Sequence, residues 1–131
     1  MTLRIRYLML RCNHPMELAR FWSMVLDRPI DSGPNGCWIV LAPQGDPAAW
    51  LFVHHDHAHA PGNTHLSLRL NAPDGTLAEE VDRLVHLGAR LVSSHERGRG
   101  LGWVTLADPE GNEFIVDSSD AEVAQAQAGE G

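Results

Sequence analysis

One order of secondary structure is written twice along this chain, and that repetition constrains the fold more than any other feature of the sequence. The first segment, Leu3 to Leu10, alternates as a half-buried strand must, with Leu3, Ile5 and Tyr7 on one side. Asn13-His14-Pro15 then offers a cap and a proline placed to open a helix, and Leu18, Phe21, Trp22, Val25 and Leu26 recur at helical spacing to about Asp27. Strand-like runs follow at residues 30–32, 36–42 and 49–55, separated by Gly33-Pro34-Asn35 and by Pro43-Gln44-Gly45-Asp46-Pro47. The order is β-α-β-β-β. It begins again with the alternating strand 64–70. A helix opened by Asp74-Gly75-Thr76 follows, with Leu77, Val81, Leu84 and Val85 on one side and Gly88 as its stop. Strands predicted at 89–93, 101–107 and 113–117 complete the second copy.

The copies also match in their letters. Leu8-Met9-Leu10-Arg11 parallels Leu66-Ser67-Leu68-Arg69, and Trp38-Ile39-Val40-Leu41-Ala42 parallels Trp103-Val104-Thr105-Leu106-Ala107. The predicted division is a single domain over residues 1–117, with module one at 3–55, a linker at 56–63 and module two at 64–117. Glu96 to Gly100 is expected to be a mobile loop, and residues 118–131, poor in large apolar side chains, a flexible tail outside the core.

Composition narrows the function classes. With 131 residues the chain has the size of one domain. Its net charge of −7 disfavours a phosphate backbone, so nucleic acid is not an expected partner. All ten basic residues are arginine, which excludes a lysine nucleophile. No apolar run has the length of a membrane span and no secretory leader is evident, so no membrane association and a cytoplasmic location are expected. Cys12 and Cys37 sit in strand-like runs without metal or redox spacing and read as buried thiols.

Leu18-Ala19-Arg20-Phe21-Trp22 and, more specifically, the string Trp103 to Phe114 containing Asp108-Pro109-Glu110-Gly111-Asn112 resemble the vicinal oxygen chelate superfamily. Its members include glyoxalases, extradiol dioxygenases and bleomycin-resistance proteins, and the similarity is strongest to its small glyoxalase-like branch. The resemblance spans residues 3–117. It implies an α+β fold of two tandem βαβββ modules forming curved mixed sheets, whose concave cups hold a small molecule, and it implies a homodimer. In metal-using members the ion is held by the first and last strands of each module. The first-strand places fall on Tyr7 and His65 and the last-strand places at or within one residue of Leu51 and Ile115, and of these His65 alone carries a good donor. No cofactor is therefore expected at the family metal site. The stretch His54-His55-Asp56-His57-Ala58-His59 offers a second route to a divalent metal, through His55 and His57 with His65, against the plainer reading of a solvated linker.

The chain is thus expected to bind a small organic molecule in a cup without a family metal, by sequestration or metal-independent catalysis. The candidate catalytic groups are His65 and Tyr7, and the candidate ligand contacts are Tyr7, Trp38, Trp50, His65, Arg69 and Trp103. The alternative is a metal-dependent enzyme of the same superfamily: a lyase or isomerase, a dioxygenase or a thiol transferase.

Overall fold

The computed structural model of the protein describes residues 7–42, 48–54 and 68–129. The chain divides into two compact units, residues 1–62 and 63–131. The predicted linker 56–63 lies outside the described residues.

Unit one runs β1 (Tyr7–Cys12), α1 (Pro15–Leu26), β2 (Ile30–Ser32), a 3-10 turn (Pro34–Gly36), β3 (Trp38–Val40) and β4 (Ala49–His54). Its sheet has the order β1-β4-β3-β2, with β1 parallel to β4 and the other pairs antiparallel. Parallel neighbours need a long crossover connection, and the chain from α1 through β3 supplies it. Pro15 stands in its first turn, where a missing N–H costs nothing, and Asp27 ends it in the left-handed region at φ 52°. Residues directly opposite one another across a sheet share a face, so the registers Leu8↔Trp50↔Val40 and Leu10↔Phe52↔Trp38 define one face. That face meets Leu18, Phe21 and Trp22 of α1. The Trp22 and Trp50 rings lie 4.8 Å apart and the Phe21 and Trp22 rings pack edge to face at 5.3 Å. The opposite face carries Tyr7, Met9, Ile39, Leu51 and Val53, and Met9 is 56% exposed.

Unit two repeats the plan with β5 (Arg69–Leu70), α2 (Leu77–Leu87), β6 (Arg90–Gly98), β7 (Leu101–Ala107) and β8 (Glu113–Asp117), in the order β5-β8-β7-β6, and adds α3 (Asp120–Ala128). The fold is α+β, two mixed four-stranded sheets each built from a βαβββ module. Val104, Leu106, Phe114 and Val116 are buried on one face, and Leu84 of α2 is buried with them. The turn before β8 is organised by Asp108, whose buried carboxylate accepts from the backbone N–H groups of Glu110 and Asn112 at 3.0 and 2.9 Å and from the Asn112 amide. That acidic side chain is committed to the turn.

Three expectations need correction. Glu96 to Gly98 belong to β6, and Arg99-Gly100 alone form the turn, so the expected mobile loop is a two-residue hairpin. Arg99 and Gly100, at φ 60° and 75°, have the positive angles that match the twist of paired strands. The segment after residue 118 contains helix α3, opened by a reciprocal capping box between Ser119 and Glu122. The Glu122 carboxylate also accepts from Leu77 N–H at 2.8 Å, joining α3 to the first turn of α2. Finally, the two tryptophans matched by letter do not occupy equivalent faces. Trp38 pairs with Phe52 on the helix side, whereas Trp103 pairs with Asp117 on the side away from the buried row. A shift of one residue in a strand reverses every side chain.

Candidate functional site

The open face of the unit-two sheet gathers polar and aromatic groups on adjacent strands. Arg69 of β5 reaches Asp117 of β8 through two parallel hydrogen bonds, Nε to Oδ2 at 3.0 Å and Nη2 to Oδ1 at 2.6 Å. Trp103 stands beside Asp117 on β7, and the Arg69 guanidinium carbon lies 6.0 Å from its ring centroid, a cation–π distance. On β6, His95 is the register partner of Trp103 and stacks on it at 5.0 Å with 20° between the planes. The His95 Nε2 atom lies 3.1 Å from the Ser93 hydroxyl. Four strands thus hold these groups on one face in two adjacent rows, Arg69 with Ser93 in one and Asp117, Trp103 and His95 in the other. Fixing such groups on paired strands costs little ordering when a ligand arrives. A separate cavity of about 620 Å³, lined by Leu77, Val81, Val104 and Glu122, lies on the helix side of this sheet; His95 and Trp103 border it, and Arg69 and Asp117 do not.

The Arg69 hydrogen bonds hold the Asp117 carboxyl below the usual carboxylate range, with a smaller contribution from the charge of Arg97. A carboxyl depressed in the folded state contributes stability above its unfolded pKa and loses it as pH falls through the folded value. The ion pair is therefore expected to stay intact through the neutral range and to open only below the ordinary aspartate range. A carboxyl-carbon NMR titration checks this: Asp117 should titrate below the ordinary aspartate range, and titration within that range would contradict it.

The sequence candidates distribute unevenly over this geometry. Arg69 and Trp103 meet on the open face of unit two. Tyr7 is on the open face of β1 in unit one and is 37% exposed. Trp50, 4% exposed, is packed against Trp22, and Trp38 lies on that same helix side, so neither presents its ring on an open face. His65, His55 and His57 lie outside the described residues. Asp117, His95, Ser93 and Arg97 are functional candidates that sequence reasoning missed. Their signal was the alternation Ser93, His95, Arg97, which becomes visible once the strand is extended past residue 93.

Of the four places that the resemblance gives to a metal, His65 lies outside the described residues. The other three are Leu51 and Ile115, aliphatic side chains on open faces with no N, O or S to offer, and Tyr7, a phenol. Among the described residues no three His, Cys, Asp or Glu side chains gather closely enough to hold a metal. No helix among them is long and apolar enough to cross a membrane.

Two βαβββ modules with mixed four-stranded sheets define the architecture shared by glyoxalases, bleomycin-resistance proteins and related dioxygenases. The chain belongs to the glyoxalase-like domain family, whose model matches residues 7–116. Solved structures carry the same fold at low identity. A glyoxalase/bleomycin resistance protein/dioxygenase family enzyme from Burkholderia phytofirmans PsJN is 17% identical at a TM-score of 0.65, covering 88% of this chain and 98% of its own. The hypothetical protein SA1046 from S. aureus is 14% identical at 0.66, covering 89% and 94%. A fosfomycin resistance protein from Listeria monocytogenes, solved with Mn(II) and 1S,2S-dihydroxypropylphosphonic acid, is 12% identical at 0.65, covering 91% and 92%. No curated protein matches the sequence significantly.

Proposed function

We propose that this glyoxalase-like protein binds a small organic molecule on the open face of its second module, without a metal at the superfamily place. The observation that carries the reading is the group of Arg69, Trp103 and His95, in which an ion-paired guanidinium and a stacked imidazole flank one indole. An indole left partly exposed between two polar planes gives a ligand apolar area together with hydrogen-bonding groups of fixed direction. His95, with the Ser93 hydroxyl on its Nε2, is a group able to move a proton beside such a ligand. The imidazole can take or give a proton, so modest metal-independent catalysis is compatible with the same site.

The test is a fragment screen on the full chain by ligand-observed NMR, repeated with Trp103→Ala. Hits that bind the parent protein and weaken tenfold or more in the variant are the expected outcome. A screen whose hits all bind the variant equally well would place the binding site elsewhere. A chelator control accompanies it, and hits that disappear on metal removal would favour the metal-dependent alternative.

A further inference from the structure

We propose that the molecule bound on this face is a planar organic anion of the arene carboxylate class. The inference rests on the small-molecule reading above and adds the chemistry of the ligand. The first argument is charge. The chain is acidic overall, at −7, yet Asp117 on this face is hydrogen-bonded to Arg69 and lies close enough to Arg97 to feel its charge. The neighbouring row of Arg90, Ala107 and Glu113 adds one cation and one anion to the same face, so with Arg69 and Arg97 against Asp117 a small local positive excess remains on an otherwise negative protein, and a site of that sign attracts anions.

Geometry supplies the second argument. A guanidinium carries five N–H donors along two usable edges. Asp117 occupies the side-on edge of Arg69, through Nε and Nη2. The end-on edge, formed by Nη1 and the second Nη2 hydrogen, has no hydrogen-bond partner among the described residues. Asp117 thus fixes the plane of the group while leaving a two-pronged donor edge available, and that edge matches a carboxylate in spacing and direction. Lysine in the same place would offer a point charge without the fork.

The third argument is the neighbouring ring pair. The Arg69 guanidinium carbon is 6.0 Å from the Trp103 centroid, and His95 extends the aromatic surface a further 5.0 Å across the sheet. A carboxylate seated on Arg69 therefore has its attached group beside Trp103 and His95. A flat ring gains most from that surface, because it buries area without losing rotamers. Arg97, two residues from His95 on β6, is near enough for its charge to act on Asp117 and supplies a cation for a second polar substituent.

Isothermal titration of the full chain with four probes tests the proposal. They are 1-naphthoate, the neutral 1-naphthamide, the cation 1-naphthylmethylammonium and inorganic phosphate. The expected result is that 1-naphthoate binds at least tenfold more tightly than each of the others, and that Arg69→Gln and Trp103→Ala each remove that preference. Arg97→Gln, on a side chain exposed at the hairpin, should weaken 1-naphthoate more than the amide. Equal binding of the three naphthyl probes would overturn the anionic class while leaving small-molecule binding intact. Equal binding of phosphate and 1-naphthoate would overturn the planar class. If no probe binds while Trp103-dependent fragments are found in the screen, the ligand class falls and the functional reading survives. If the screen also yields nothing, both fall.

Discussion

Trp22→Ala is expected to destabilise the protein by about 3–5 kcal/mol, the cost of emptying a large aromatic site in a close-packed core. Trp22 is 1% exposed and is the largest fully buried side chain in the described core. It meets Phe21 edge to face at 5.3 Å and Trp50 at 4.8 Å, and Trp50 in turn lies 6.4 Å from Phe52. Alanine at this place removes the ring that couples α1 to β4, and the surrounding aromatics are too rigid to collapse fully into the space. Since a domain of this size has a total stability of roughly 5–15 kcal/mol, the loss is a large fraction of the whole. Urea denaturation followed by circular dichroism measures it. Met16→Ala in the same helix, at a side chain 39% exposed, is the control and should change stability by about 0.5 kcal/mol or less. Two variants with similar midpoints would show that the Trp22 cluster does not hold α1 on its sheet.

The fold was largely legible because its two periods are local. Alternation over Tyr7 to Leu10 and helical spacing over Leu18 to Val25 need no knowledge of the rest of the chain, and burial follows from them. Helix α3 could have been read from Ser119 and Glu122, a capping-box spacing, but its nine residues bury none of their own, so hydrophobic pattern gave no support. The β6–β7 hairpin was hidden for a different reason. Its turn is Arg99-Gly100, and arginine at a positive φ is not the Asn or Asp that normally announces such a turn. Missing the hairpin concealed His95 and Arg97 as strand residues. It therefore concealed the partners of Trp103, although Trp103 and Arg69 were named from sequence. Trp38 and Trp50 illustrate the converse limit. Both are aromatic residues on strands, and only the register against Phe52 and Val40 shows that they point toward α1. Residue type suggests a ligand platform, but pairing decides which face it occupies.

Gly102→Ala is expected to cost about 3 kcal/mol or more, through overpacking together with lost hydrogen bonds, and to disturb the site at the same time. A Cβ at position 102 would lie 2.2 Å from the His95 carbonyl oxygen and 3.4 Å from the Glu96 Cα. Both neighbours are backbone of the paired strand, so no rotamer change relieves the overlap and β6 must move away from β7. The close approach arises where the ladder is irregular, next to the register shift between Glu96 and Gly98. Gly102 is also tied to β8's end: its N–H donates to the buried Ser118 hydroxyl at 2.9 Å, and its carbonyl accepts from Ser118 Oγ and N–H, each at 3.1 Å. Displacing Gly102 strains these three bonds together, each contributing about 0.5–1.5 kcal/mol net. His95 sits in the segment that would be pushed, so its stack on Trp103 should open even where the rest of the chain stays folded. The measurement pairs a urea midpoint with the nuclear Overhauser contacts between the His95 and Trp103 rings. Ser118→Ala is the companion variant, removing the hydroxyl bonds without the steric clash, and should lower stability by about 1–3 kcal/mol while preserving the ring contacts. If Gly102→Ala keeps both its midpoint and those contacts, the two strands are not held at the distance that builds the site.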